Sequence, residues 1–82
     1  VRIHIHGNYL VGRYATDVEA AIAYNKAVDL ARAAGIHKNF PENYVDRLSP
    51  KEYADIYTGL KISRRYLNYL EQIAQKVNSI SD

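Results

Sequence analysis

The sequence contains no cysteine, which excludes a disulfide framework and any metal site built on thiolates. It also has no apolar run long enough to span a membrane and no signal peptide. These absences favour an intracellular protein without a membrane partner. Catalytic signatures are missing as well, since there is no Ser-His-Asp order, no phosphate-binding loop and no paired-carboxylate pocket. We therefore expect a protein that is not an enzyme and needs no cofactor.

The chain has 82 residues, enough for one small domain with a single core. Its apolar fraction of 48% and charged fraction of 24% are ordinary for a globular protein. The net charge is only +2, and the excess lies in the first half of the chain. This bias is too small to argue for a nucleic-acid partner on electrostatics alone.

The stretch from Tyr9 to Tyr24 passes from a strand pattern into an alanine-rich helix, and the rest of the chain is organised around it. Thr16 with Glu19 predicts a capping box, so this helix should begin at Asp17. Small side chains on one side predict an axis close to the strands. That side comprises Ala20, Ala23, Tyr24, Ala27, Leu30, Ala31 and Ala34, and Gly35 follows as a left-handed stop.

Residues 1–14 predict a β-hairpin, because apolar and polar residues alternate and Gly7-Asn8 is a turn signal. A loop of His6, Gly7 and Asn8 would place Ile5 opposite Tyr9. The predicted helix-facing set is Val1, Ile3, Ile5, Tyr9 and Val11, and the predicted outward set is Arg2, His4, Leu10 and Arg13. Because the chain starts inside the strand pattern and two strands alone are marginal, we expect a further strand upstream.

The second half of the chain predicts two helices after a connection over residues 42–48. A capping box at Ser49-Pro50-Lys51-Glu52 opens a short helix that Gly59 ends, and Ser63 is predicted to cap the next one. That third helix has the clearest apolar arc, formed by Tyr66, Leu67, Tyr69, Leu70, Ile73, Ala74, Val77 and Ile80. These helices must pack on the first helix or on a partner.

Together these patterns predict an α+β fold, with a small antiparallel hairpin or sheet packed on one helix and a C-terminal helical hairpin after it. We expect residues 1–41 to form the sheet-plus-helix module. Residues 42–82 would be a helical extension packed on the same core.

Several landmarks at fixed spacing resemble a known family: Leu10-Val11-Gly12-Arg13-Tyr14-Ala15-Thr16, Glu19-Ala20-Ala21, Ala23-Tyr24-Asn25 with Ala27, and Asn39-Phe40-Pro41. Over residues 1–41 they are similar to the Apetala-two/ethylene-response-factor DNA-binding domain, including its prokaryotic and phage relatives. The resemblance implies a three-stranded sheet on one helix, with the outer face of the sheet in the DNA major groove. By position it implies DNA contacts from Arg2, His4, His6, Asn8 and Leu10. The family's first strand is absent here, and Asn8 and Leu10 stand where an arginine and an aromatic residue are frequent.

Such domains in bacteria and phages are often attached to endonucleases of the HNH type or to recombinase-like proteins. The resemblance therefore implies a targeting or transcription-regulatory module of a larger protein, in the setting of a mobile element. This chain has no nuclease signature of its own.

The outward side chains of the hairpin suit duplex DNA. Arg2 and Arg13 fit guanine edges or phosphate, and Asn8 fits adenine. The alternative is that they are only the solvated face of an ordinary sheet. His4 and His6 could bind a metal together with His37, but the remaining ligands are missing, so we predict no metal site.

The run from Tyr53 to Leu67 is similar to a helix-turn-helix, with Arg64, Arg65 and Asn68 outward on a candidate recognition helix. A helical hairpin that caps the core explains the same residues. In either case Lys61, Arg64 and Arg65 are candidate phosphate contacts.

The function predicted from the sequence is sequence-preferring binding of double-stranded DNA through the outer face of the sheet. The alternative from another class is a protein-protein or homo-oligomerisation module. It would use tyrosines that follow residue 41, namely Tyr44, Tyr53, Tyr57, Tyr66 and Tyr69.

Overall fold

Two short strands and three helices make up the fold. The computed structural model describes residues 1–5 and 7–80, and the side chains of these residues as far as residue 76. In chain order the elements are β1 (Arg2–His4), β2 (Asn8–Leu10), α1 (Asp17–Ala33), α2 (Pro50–Gly59) and α3 (Arg64–Ile80). This confirms the predicted α+β class. Within the described chain, every helix is too short or too polar to cross a membrane.

The two strands form the predicted antiparallel hairpin, in a register that differs from the prediction. Ile3 lies opposite Tyr9, so the prediction that Ile5 lies there is wrong by two residues. The loop between the paired residues His4 and Asn8 has three positions, as predicted, but lies one residue earlier in the chain, and the Ile5 amide donates to the Gly7 carbonyl over 3.0 Å. Since strand side chains alternate, a shift of two leaves each residue on its predicted face. Ile3, Ile5 and Val11 are therefore still buried.

Helix α1 begins at Asp17 as predicted, and the Thr16 hydroxyl accepts from the Glu19 amide over 3.1 Å. The second hydrogen bond of the expected capping box has a different donor. The Glu19 carboxylate accepts from the Thr16 hydroxyl rather than from the Thr16 amide. At the other end Gly35 has a φ of 99°, which confirms the left-handed stop.

The core lies between the hairpin, α1 and α3. Methyl groups of α1 line one side of the core, and Ala23, Ala27 and Ala31 have no exposed surface. From the second half of the chain, Tyr66 and Leu70 belong to the same buried cluster. Ile22, on the polar half of α1 in the sequence pattern, is also completely buried.

Both C-terminal helices begin at their predicted caps. Ser49 and Glu52 form the complete capping box of α2, and the Ser63 hydroxyl accepts from the Tyr66 amide at the start of α3. The main contact of α2 is with α1, whereas that of α3 is with β2. The helices thus pack on the protein itself. Val77 and Ile80, the last members of the predicted arc, have side chains outside the description.

Candidate nucleic-acid interface

The outer face of the hairpin is open to solvent. Arg2, His4 and Asn8 are exposed, and so is Arg13 just after β2. Leu10 keeps 37% of its surface exposed, which makes it an apolar side chain on an otherwise polar face. Helix α3 packs against the opposite face, where Tyr9 stacks on Tyr69. The C-terminal helices therefore leave the predicted binding face uncovered.

One pair of side chains on this face is held together. His4 and Asn8 lie opposite each other, with 3.1 Å between His4 Nδ1 and Asn8 Oδ1. Because an amide oxygen only accepts, His4 Nδ1 carries the proton in this bond. The amide NH₂ of Asn8 and Nε2 of His4 have no partner among the described residues. The pair thus offers a ligand one donor, the NH₂ group of Asn8, and one acceptor, Nε2 of His4.

The connection between α2 and α3 runs beside the end of β2. The Ser63 amide donates to the Val11 carbonyl over 2.8 Å, and the Tyr14 hydroxyl donates to the Lys61 carbonyl over 2.7 Å. Burial raises the pKa of the Tyr14 phenol, so it remains a donor at neutral pH. These two bonds fix the start of α3 next to the hairpin.

Two grooves result, and Ser63 lines both. The first, of about 410 Å³, brings Arg65 together with Arg2, Asn8 and Leu10. The second, of about 480 Å³, brings Lys61 together with Arg13. The candidate phosphate contacts Lys61 and Arg65 are thus adjacent to the candidate DNA-binding face. Arg64 is exposed in the first turn of α3.

Among the described residues, no acid forms an ion pair with the cations around these grooves. The described residues form one ion pair, between Arg32 and Glu42 at 3.9 Å, and neither of these lines either groove. Glu19 is the acid that lines the second groove, and it accepts from the Thr16 hydroxyl. The cationic side chains are therefore available to phosphate oxygens.

The hydrogen bond from the Tyr14 hydroxyl to the Lys61 carbonyl depends on a glycine at position 12. A Cβ at this position would lie 2.7 Å from Cζ and 3.0 Å from Cε2 of Tyr14, so the ring would have to leave. We expect Gly12→Ala to break the bond from Tyr14 to Lys61 and to lower the free energy of unfolding by about 1 kcal/mol. Urea denaturation measures this change.

Two further variants test that explanation. Tyr14→Phe removes the hydroxyl without a clash and should cost about as much as Gly12→Ala. Gly59→Ala, where an added Cβ meets no atom within 4 Å, should be neutral or stabilising. Equal stabilities of Gly12→Ala and Gly59→Ala would show that the Tyr14 ring does not occupy this place.

His6 was predicted as a DNA contact and considered as a metal ligand. It lies outside the described residues, so the structure tests neither its predicted DNA contact nor its part in a metal site with His4 and His37. In the described part of the chain, no three His, Cys, Asp or Glu side chains come together as metal ligands.

The tyrosines of the second half are mostly used in packing. Tyr66 is fully buried, and Tyr69 stacks on Tyr9 with 4.2 Å between ring centroids. Tyr57 donates to Asp29 over 2.7 Å, and burial together with that carboxylate raises the pKa of its phenol. Tyr44 differs, because 90% of its surface is exposed.

Two residues that sequence reasoning missed hold α2 and the preceding connection in place. Asn25 is 2% exposed and binds the backbone of Asn43 through both a donor and an acceptor. The Lys26 ammonium donates to the carbonyls of Tyr57 and Leu60 at the end of α2, where a cation also suits the helix dipole. In the sequence, Asn25 belongs to the Ala23-Tyr24-Asn25 landmark of the family resemblance, which gave it no role, and Lys26 follows it as a second polar residue among the alanines of α1.

Comparisons with protein-family models, with curated proteins and with solved structures give no match to this chain. The resemblance to the Apetala-two/ethylene-response-factor domain therefore stays a prediction.

Proposed function

We propose that this protein binds double-stranded DNA through the outer face of its hairpin, as a targeting or transcription-regulatory module of a larger protein. The observation that carries the proposal is that the exposed strand face lies beside two grooves lined by Ser63, whose cations form no ion pair with any described residue. A two-stranded ribbon fits the width of the major groove.

The residues divide into two roles. Base edges would be read by the strand side chains, where Arg2 and the Asn8 amide offer donors to purine acceptors. Leu10 offers an apolar contact to the thymine methyl group. Phosphates would be bound by the cations that flank the strands, namely Arg13, Lys61, Arg64 and Arg65.

The His4–Asn8 bond sharpens this expectation. Asn8 Oδ1 accepts one hydrogen bond from His4 and keeps a second lone pair, so both halves of the amide remain available and are held in place. A bidentate Asn-adenine contact needs both halves. We therefore propose that Asn8 contacts adenine, donating to N7 and accepting from the N6 amino group, with His4 as its positioning residue.

The test compares two double variants that remove the same charge. Arg2→Ala with Arg13→Ala should weaken binding to a fluorescent duplex about 10- to 100-fold near 100 mM salt. The slope of log K against log salt should become shallower by about 1, because Arg13 is the one proposed phosphate contact that this variant removes. Fluorescence anisotropy over a salt series measures both quantities.

The matched control is Arg47→Ala with Lys51→Ala, two exposed cations that line neither groove. Its affinity should fall less than about threefold, since only long-range attraction changes. Equal losses in the two double variants, or no detectable binding of the unchanged protein to duplex, would overturn the proposal.

A further inference from the structure

A third groove, of about 740 Å³, lies between the hairpin turn, the segment after α1 and helix α3. Its lining is apolar at the base, where Ile5, Ile36, Tyr69 and Ile73 meet. Ile36, Tyr69 and Ile73 remain partly exposed, so this apolar surface is accessible. The groove shares no lining residue with the two grooves beside Ser63.

The rim of this groove carries charge of one sign. Lys38 and Lys76 are exposed at its edges together with His37, and its lining contains no Asp or Glu. Lys38 donates one hydrogen bond to the His4 carbonyl over 3.3 Å. An ammonium has three donors, so Lys38 retains capacity for a carboxylate. The groove is therefore complementary to an apolar surface with negative charges at its border.

One side of the groove is formed by residues of helix α3. Tyr69, Ile73 and Lys76 are spaced i, i+4 and i+7, so they lie in one stripe along α3. Seven residues of helix rise about 10 Å, which is about two turns. Grooves of this length accept the apolar face of a partner helix at the same spacing.

We propose that this groove binds an amphipathic helix of a partner protein, with apolar residues at i, i+4 and i+7 and Asp or Glu beside them. A second copy of this chain, groove against groove, is a poor occupant, because Lys38 and Lys76 would then meet like charges. The same protein could hold DNA on the hairpin and a protein partner here. This inference does not depend on DNA binding.

The probe is a synthetic helical peptide of about 14 residues, with leucine at i, i+4 and i+7 and flanking glutamates. Titration of ¹⁵N-labelled protein should shift the amide signals of Ile36, Tyr69 and Ile73 and leave those of α2 in place. Lys38→Glu with Lys76→Glu should weaken binding at least about tenfold, since each reversal places like charges together.

Charge exchange and a matched control make the test specific. A peptide with lysine in place of glutamate should bind the double variant better than the unchanged protein. Lys51→Glu on α2, outside the groove, should leave peptide affinity within about threefold. Duplex binding measured on the same variants separates this proposal from the DNA-binding one.

Several outcomes would overturn the inference. The first is the absence of amide shifts at about 1 mM peptide, and the second is equal affinity of the acidic and the basic peptide. The third is that the fatty acid laurate shifts the amide signals of Ile36, Tyr69 and Ile73 whereas the peptide does not. A concentration-dependent dimer that Lys76→Glu dissolves would instead assign the groove to a second copy, and would equally contradict the proposal.

Discussion

Replacing Tyr66 by alanine should lower the free energy of unfolding by about 3–5 kcal/mol. Tyr66 is completely buried, its ring centroid lies 6.4 Å from that of Tyr9, and its hydroxyl donates to the Ala27 carbonyl over 2.7 Å. One side chain thus joins α3 to the hairpin and to α1. A domain of this length has about 4–12 kcal/mol of stability in total, so much of it would be lost.

Urea denaturation followed by circular dichroism measures the effect, and two variants separate its parts. Tyr66→Phe keeps the ring and removes the hydroxyl, so we expect a loss of about 1–2 kcal/mol. Burial raises the pKa of this phenol, and the bond to Ala27 therefore persists through the neutral range. Tyr44→Ala removes an exposed ring and should cost less than about 0.5 kcal/mol. If Tyr66→Ala cost no more than Tyr44→Ala, α3 would not belong to the core.

Asn25→Ala should lower the free energy of unfolding by about 2–4 kcal/mol. Its amide nitrogen donates to the Asn43 carbonyl over 2.9 Å and to the Tyr53 hydroxyl over 3.0 Å, and its oxygen accepts from the Asn43 amide over 2.7 Å. The variant leaves a cavity and removes the side-chain partners of the Asn43 backbone. The cost of the cavity and the cost of the lost hydrogen bonds therefore both result from this one substitution.

A local measurement distinguishes this cause from general weakening. Hydrogen exchange at the Asn43 amide should become faster in Asn25→Ala even under conditions where α3 is still protected. The control is Asn68→Ala, an exposed asparagine on α3, which should stay within about 0.5 kcal/mol of the unchanged protein. Unchanged exchange at Asn43 would contradict the bonding described for Asn25.

Local signals in the sequence were sufficient for the helices and their ends, whereas the predicted hairpin over residues 1–14 is too long, because the strands cover only Arg2–His4 and Asn8–Leu10. Thr16, Gly35 and Ser49 act through atoms at most a few residues away, and for this reason the helix boundaries could be predicted from spacing. The faces of the hairpin followed from alternation alone. The register did not, because alternation cannot distinguish pairings that differ by two residues, and the observed pairing of His4 with Asn8 moves the three-residue loop one position towards the N-terminus.

The site depended on contacts between distant residues. No local pattern states that Ser63 will bond to Val11, or that Tyr14 will reach Lys61, 47 residues further on. The outward residues of the hairpin were therefore predictable, whereas the grooves that bring Arg65 and Lys61 to them were not. The same limit applies to Asn25 and Lys26, whose bonding partners all lie beyond α1.

The stack of Tyr9 on Tyr69 has a spectroscopic consequence. The two rings are 4.2 Å apart and inclined by 19°, and the protein contains no tryptophan to mask tyrosine absorption. Electronic transitions of rings this close couple, so the pair contributes a near-ultraviolet circular dichroism band that depends on its mutual orientation. Among the eight tyrosines, the contribution of this pair to optical activity near 280 nm therefore reports on the docking of α3 on β2 without any attached label.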